Sequence, residues 1–182
     1  MAKTIMQAWD DLDLQSAKHL LSQTEMYLEA TIETAKVLTD RAINILQFSV
    51  PAILALVGVV FAQSNQVLSH LSFLSIIFLL VISYKALKVY ELYEIHSKGS
   101  PVENLLSDEI LSMDESTMEF AFVFNSIVLN NNLIIFNENA NKQRRQHIYF
   151  IINTVKVGCV VVLLYAIFGY LVFQSVSVSQ AS

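Results

Sequence analysis

Apolar positions run without a single Asp, Glu, Lys or Arg from residue 42 to residue 84. One helix crosses the hydrocarbon core of a bilayer with ~20 such residues. The stretch therefore predicts two spans, 43–62 and 68–84, separated only by the polar connector Gln63-Ser64-Asn65-Gln66-Val67. Together they read as a transmembrane hairpin. A hairpin buried in a soluble core would need cover on all sides, which 182 residues cannot supply. A third apolar run, 154–173, carries one charge, Lys156, near its entry end, where a lysine can snorkel to the interface. The uncharged stretch 174–182 follows as a short tail.

The polar stretches carry helical periodicity of their own. Residues 10–42 read as one helix, with Asp10 and Asp11 suited to its N-cap and first turn. Leu14, Ala17, Leu21, Thr24, Leu28, Thr31, Ala35, Leu38, Ala42 and Ile45 keep an alternating 3–4 spacing, a coiled-coil-like seam. With no Gly or Pro before Pro51, this helix is expected to run unbroken into the first span. Tyr84, Lys85, Lys88, Tyr90 and Tyr93 mark the boundary of the second span, whose helix continues to about residue 96. Lys98-Gly99-Ser100-Pro101 is the clearest break, and a short helix over 102–112 follows it. Ser112 or Asp114 then caps a last helix, 115–173, half outside and half inside the membrane. The expected class is an all-α membrane protein, three transmembrane helices with long cytoplasmic helical extensions forming a bundle. Its parts are a cytoplasmic helix (1–42), a two-span hairpin (43–84), a cytoplasmic helical region (85–153), a third span (154–173) and an outer tail (174–182).

Composition supports long helices with few turns: there are four Gly and two Pro, and mean hydropathy is +0.52. A net charge of −5 leaves no general nucleic-acid footprint. The single cysteine, Cys159, lies in the third span and excludes an intrachain disulfide. All eleven Lys and Arg fall before the first span, between the second and third, or at the ends of these spans. The connector and the tail have none. By the positive-inside rule the N-terminus and residues 85–153 are cytoplasmic, and the C-terminus is outside. The polar N-terminal stretch makes a cleavable signal peptide unexpected; the first span acts as its own insertion signal.

Candidate chemistry is sparse. No phosphate-cradling Gly-rich loop, zinc spacing or nucleophile elbow occurs, and the four histidines are scattered. Neither an enzyme nor a cofactor or metal site is expected. Asn130, Asn137 and Asn141 stand among seven asparagines between residues 125 and 141 of the last helix, where Asn is a poor helix former. Buried hydrogen bonds between helices, contacts to a polar ligand, and plain solvation all remain open for them. Lys142, Arg144 and Arg145 form the densest basic cluster, suited either to lipid headgroups or to the phosphates of a nucleotide or short oligonucleotide. Gln47, Pro51, Ala55, Gly58 and Ala62 make a stripe of mostly small residues along the first span, and Ser72 is one of the polar members of the second. Such positions either pack helices closely or line a pore. Glu25, Glu29 and Glu33 share one face, as solvated acids or as a vestibule for cations around an oligomer axis.

Three short matches carry a family resemblance. They are Asp40-Arg41-Ala42-Ile43-Asn44-Ile45-Leu46 entering the first span, Gly99-Ser100-Pro101-Val102-Glu103-Asn104-Leu105-Leu106 after the second, and residues 137–145 before the third. With the order of elements, they make the chain resemble the SLATT-type small membrane effectors of bacterial anti-phage defence. The resemblance implies an inner-membrane protein that oligomerises and permeabilises the membrane, partnered with a nucleotide-synthesising or ligand-sensing protein. The Hailong system, which pairs a nucleotidyltransferase with a membrane channel effector, is one such setting. No separate nucleotide-binding domain is visible, so a ligand would sit on the helices themselves, with Asn130–Arg145 the expected place. Three spans cannot enclose an aqueous path alone. The expected assembly is therefore a symmetric homo-oligomer, a tetramer, gated by its cytoplasmic helices. A non-conducting scaffold that anchors a cytoplasmic partner is the alternative.

Overall fold

The computed structural model describes residues 13–62, 66–92, 112 and 114–181, with side chains up to 169 except that of residue 116. They form three helices: α1 (Leu14–Ala62), α2 (Gln66–Glu91) and α3 (Glu115–Ala181). Each is long and apolar enough to cross a membrane. The chain is all-helical among the described residues, and its three apolar helices fit a membrane protein.

Helix starts follow capping chemistry. The Asp13 carboxylate accepts from the Ser16 amide at 2.7 Å, which makes Asp13 the N-cap of α1. The expected caps Asp10 and Asp11 lie outside the described residues. Asp114 does the same for α3, accepting from the Thr117 amide at 3.2 Å. α1 runs through Pro51 without interruption. α2 begins at Gln66, so Gln66 and Val67 of the expected connector are helical. The 98–101 break and most of the 102–112 helix also lie outside the described residues. α3 passes residue 173 and continues to Ala181, because no Gly or Pro follows Gly169 to stop it.

Packing divides the chain into two compact units. In the first (Met1–Lys36 and Ile95–Asn141), the early parts of α1 and α3 run parallel. Their contacts ascend together: Lys18 pairs with Glu119 at 2.6 Å, and the Tyr27 hydroxyl donates to the Glu138 carboxylate at 2.6 Å. Between these exposed contacts Ala17, Val123 and Ile127 are buried, with Leu14, Leu20, Leu21 and Phe120 against them.

The second unit (Val37–Glu94 and Lys142–Ser182) contains α2 and the later parts of α1 and α3. Its core is Leu38 and Ala42 of α1, Ile82, Ala86 and Val89 of α2, and Ile148 and Ile151 of α3. Residues at the 3–4 spacing of α1 are thus buried or half-buried in both units. α2 runs antiparallel to its neighbours here. Down α2 and up α3 the contacts are Leu92 with Arg144, Lys85 with Phe150, Phe78 with Gly158 and Val67 with Gly169. An added side chain would crowd α2 at the last two: a Cβ at Gly158 would lie 3.2 Å from the Phe78 ring, and one at Gly169 only 2.8 Å from Val67.

Candidate functional site

The buried face of α3 is a heptad seam that includes polar residues. Val123, Ile127, Asn130, Ile134, Asn137, Asn141, Arg144, Ile148 and Ile151 follow one another at alternating spacings of four and three, and all are buried. Asn130, Asn137, Asn141 and Arg144 therefore occupy core positions of this helix. Lys142 and Arg145 are exposed on its outer flanks.

In the first unit Asn137 and Asn141 meet Thr31 of α1. Asn137 Nδ2 donates to Thr31 Oγ1 at 3.3 Å, and Asn141 Nδ2 donates to the Thr31 carbonyl at 2.7 Å. Thr31 Oγ1 in turn donates to the Leu28 carbonyl of its own helix at 2.7 Å. Polar groups at seam positions cost stability but fix which residues face each other. A ligand reaches Asn137 and Asn141 only where this seam opens. The two bonds to Thr31 differ in kind, one to its side chain and one to its backbone. Thr31→Val should therefore couple to Asn137→Ala by about 1 kcal/mol in a double-mutant cycle, and to Asn141→Ala by close to none. Thermal unfolding of the four variants in each cycle checks this, and equal couplings would refute the assignment.

In the second unit, Arg144 is fully buried and its guanidinium donates to the Leu92 carbonyl just beyond the end of α2. It satisfies a carbonyl that the ending helix leaves without an intrahelical donor. Burial holds its pKa below the ordinary arginine range. Lys85 Nζ lies 4.9 Å from the Phe150 ring centroid, and Lys88 pairs with Glu91 at 2.6 Å. His147 is held below the usual imidazole range, first by desolvation and then by the charges of Lys85 and Lys88.

The span stripe is uniformly exposed. Gln47, Pro51, Ala55, Gly58 and Ala62 all face away from the rest of the chain, and a Cβ at Gly58 would meet nothing within 4 Å. Ser72, by contrast, is buried inside the unit. Two further serines, Ser49 and Ser83, bond across α1 and α2 at 2.7 Å. Ser83 also donates to the Leu79 carbonyl at 2.8 Å, so these polar groups are satisfied within the protomer.

The six candidate ligand residues thus do not share one face: four lie on the seam and two on the outside. Lys142 and Arg145, three residues apart, are both exposed and open to an anion without the seam parting. Sequence reasoning did not single out the Thr31 partnership or the Arg144–Leu92 bond. The 3–4 spacing of Asn130, Asn137, Asn141 and Arg144 with Ile134 and Ile148 is the signal that carries them. Compared with known proteins, the chain matches no family model, no curated protein and no solved structure.

Proposed function

We propose that this protein is an oligomeric membrane pore or ion-channel effector. Its cytoplasmic helices gate it in response to a nucleotide-type signal or a partner protein, and opening depolarises the bacterial inner membrane in anti-phage defence. The N-terminus is cytoplasmic, the C-terminus is outside, and a tetramer encloses the path. The chain acts without catalysis, as a SLATT-type effector paired with a nucleotide-synthesising protein.

The observation that carries this reading is the unpartnered stripe of α1. Gln47, Pro51, Ala55 and Gly58 present small or polar surface to the outside of the protomer. In hydrocarbon, small residues favour close helix approach, and a polar Gln favours water or another chain over lipid. The apolar stretches of all three helices are also thinly covered within the protomer. The polar Thr31–Asn137–Asn141 seam supplies a gate of modest stability, with Lys142 and Arg145 as first contacts for phosphate.

The alternative is a non-conducting scaffold. It draws support from Met26, Val128 and Ile135, exposed apolar residues of the first unit on which a cytoplasmic partner could dock. A potential-sensitive dye separates the two readings in cells. Expression together with the activating signal should collapse the membrane potential. An intact potential with a partner recruited to the membrane would favour the scaffold.

A further inference from the structure

We propose that a cleft in the second unit binds one acyl chain of an anionic phospholipid, whose phosphate rests on Arg41. This inference rests on the membrane reading above. The cleft has a volume of about 390 Å³ and is lined by Ile45, Phe48 and Ala52 of α1, Leu79 and Ile82 of α2, and Val155 of α3. Ser49, the hydroxyl in its wall, is already bonded to Ser83. The volume falls within the ~300–1,000 Å³ range of small-molecule sites.

Two arguments choose the occupant. The first is depth. Every residue just named belongs to a stretch read as a span, so the surrounding solvent is hydrocarbon. An apolar cleft does not hold water, which leaves a lipid tail or the side chains of a second copy. The second is charge. Asn44 lines the wall of the cleft, and Arg41 lies one turn before it on the same flank of α1. Side chains on a helix lean toward its N-terminus, so Arg41 reaches back to the membrane surface, the level of a lipid phosphate. Arg41 is exposed, and among the described residues no carboxylate pairs with it. An arginine in that position, above an apolar slot, complements a phosphodiester attached to an acyl chain.

The test uses the full chain in nanodiscs of equal parts phosphatidylglycerol and phosphatidylcholine. Lipids that stay bound are counted per chain by native mass spectrometry. The wild-type protein should retain one lipid per chain, enriched in phosphatidylglycerol. Ala52→Phe fills the cleft and should abolish retention. Val155→Phe blocks it from the exposed rim and should do the same without disturbing the buried core. Arg41→Gln should keep the lipid but reduce the preference for phosphatidylglycerol about fivefold. Wild-type retention in both phenylalanine variants overturns the proposal. So does efficient cross-linking between copies through Phe48→Cys with no lipid retained, which would place a second copy in the cleft. Solubility of the chain in alkaline carbonate would instead sink the membrane reading itself, separately from any result in nanodiscs.

Discussion

Gly58→Leu should insert and fold as the wild-type chain does, yet fail to assemble and conduct no current. Within the protomer nothing opposes the new side chain, since a Cβ at Gly58 meets no atom within 4 Å. Its helix would even gain roughly 0.8–1 kcal/mol of intrinsic propensity. Any loss must therefore come from outside the protomer, from a neighbouring helix or a narrow path that a leucine blocks. Gly158→Leu is the contrasting variant. There the added carbon would lie 3.2 Å from the Phe78 ring of the same chain, so the protomer itself is disrupted. Mass in detergent, thermal unfolding and conductance together read the difference. Wild-type assembly and current in Gly58→Leu would remove the stripe from both interface and pore.

Arg144→Ala should lower stability by about 2–4 kcal/mol, whereas Arg145→Ala stays within ~0.5 kcal/mol. The two arginines are adjacent and chemically identical, but their surroundings are not. Arg144 is fully buried and bonds the Leu92 carbonyl, so truncation leaves both a void and a carbonyl short of its donor. Arg145 is exposed, and its loss exposes nothing new. The ligand response should divide the opposite way: Arg145→Ala weakens phosphate binding in a stable protein. Hydrogen exchange should also quicken in the last turn of α2 in Arg144→Ala. Equal thermal shifts for the two alanine variants would contradict this division.

Much of this fold was legible in the spacing of residues. Charge-free stretches of span length and the 3–4 seam of α1 depend on periodicity and burial, which one chain displays by itself. The seam of α3 was harder to read because polar residues occupy four of its core positions. Asn130, Asn137, Asn141 and Arg144 suggest a surface by composition, while their spacing places them inside. For three of them what decides between the two is a partner distant in sequence, Thr31 for Asn137 and Asn141 and the Leu92 carbonyl for Arg144. Pairing over such separations follows from how helices pack, which local pattern does not specify. Gly58 and Gly158 make the same point: both are span glycines, but one faces outward and the other receives the Phe78 ring.

The decisive measurement is the conductance of the purified protein in a planar bilayer, with its oligomeric mass determined beforehand. Discrete ion currents from a defined oligomer, appearing or changing when nucleotides or short oligonucleotides are added, are the expected result. Silence from a folded, inserted oligomer throughout the same additions would contradict the pore and leave the scaffold.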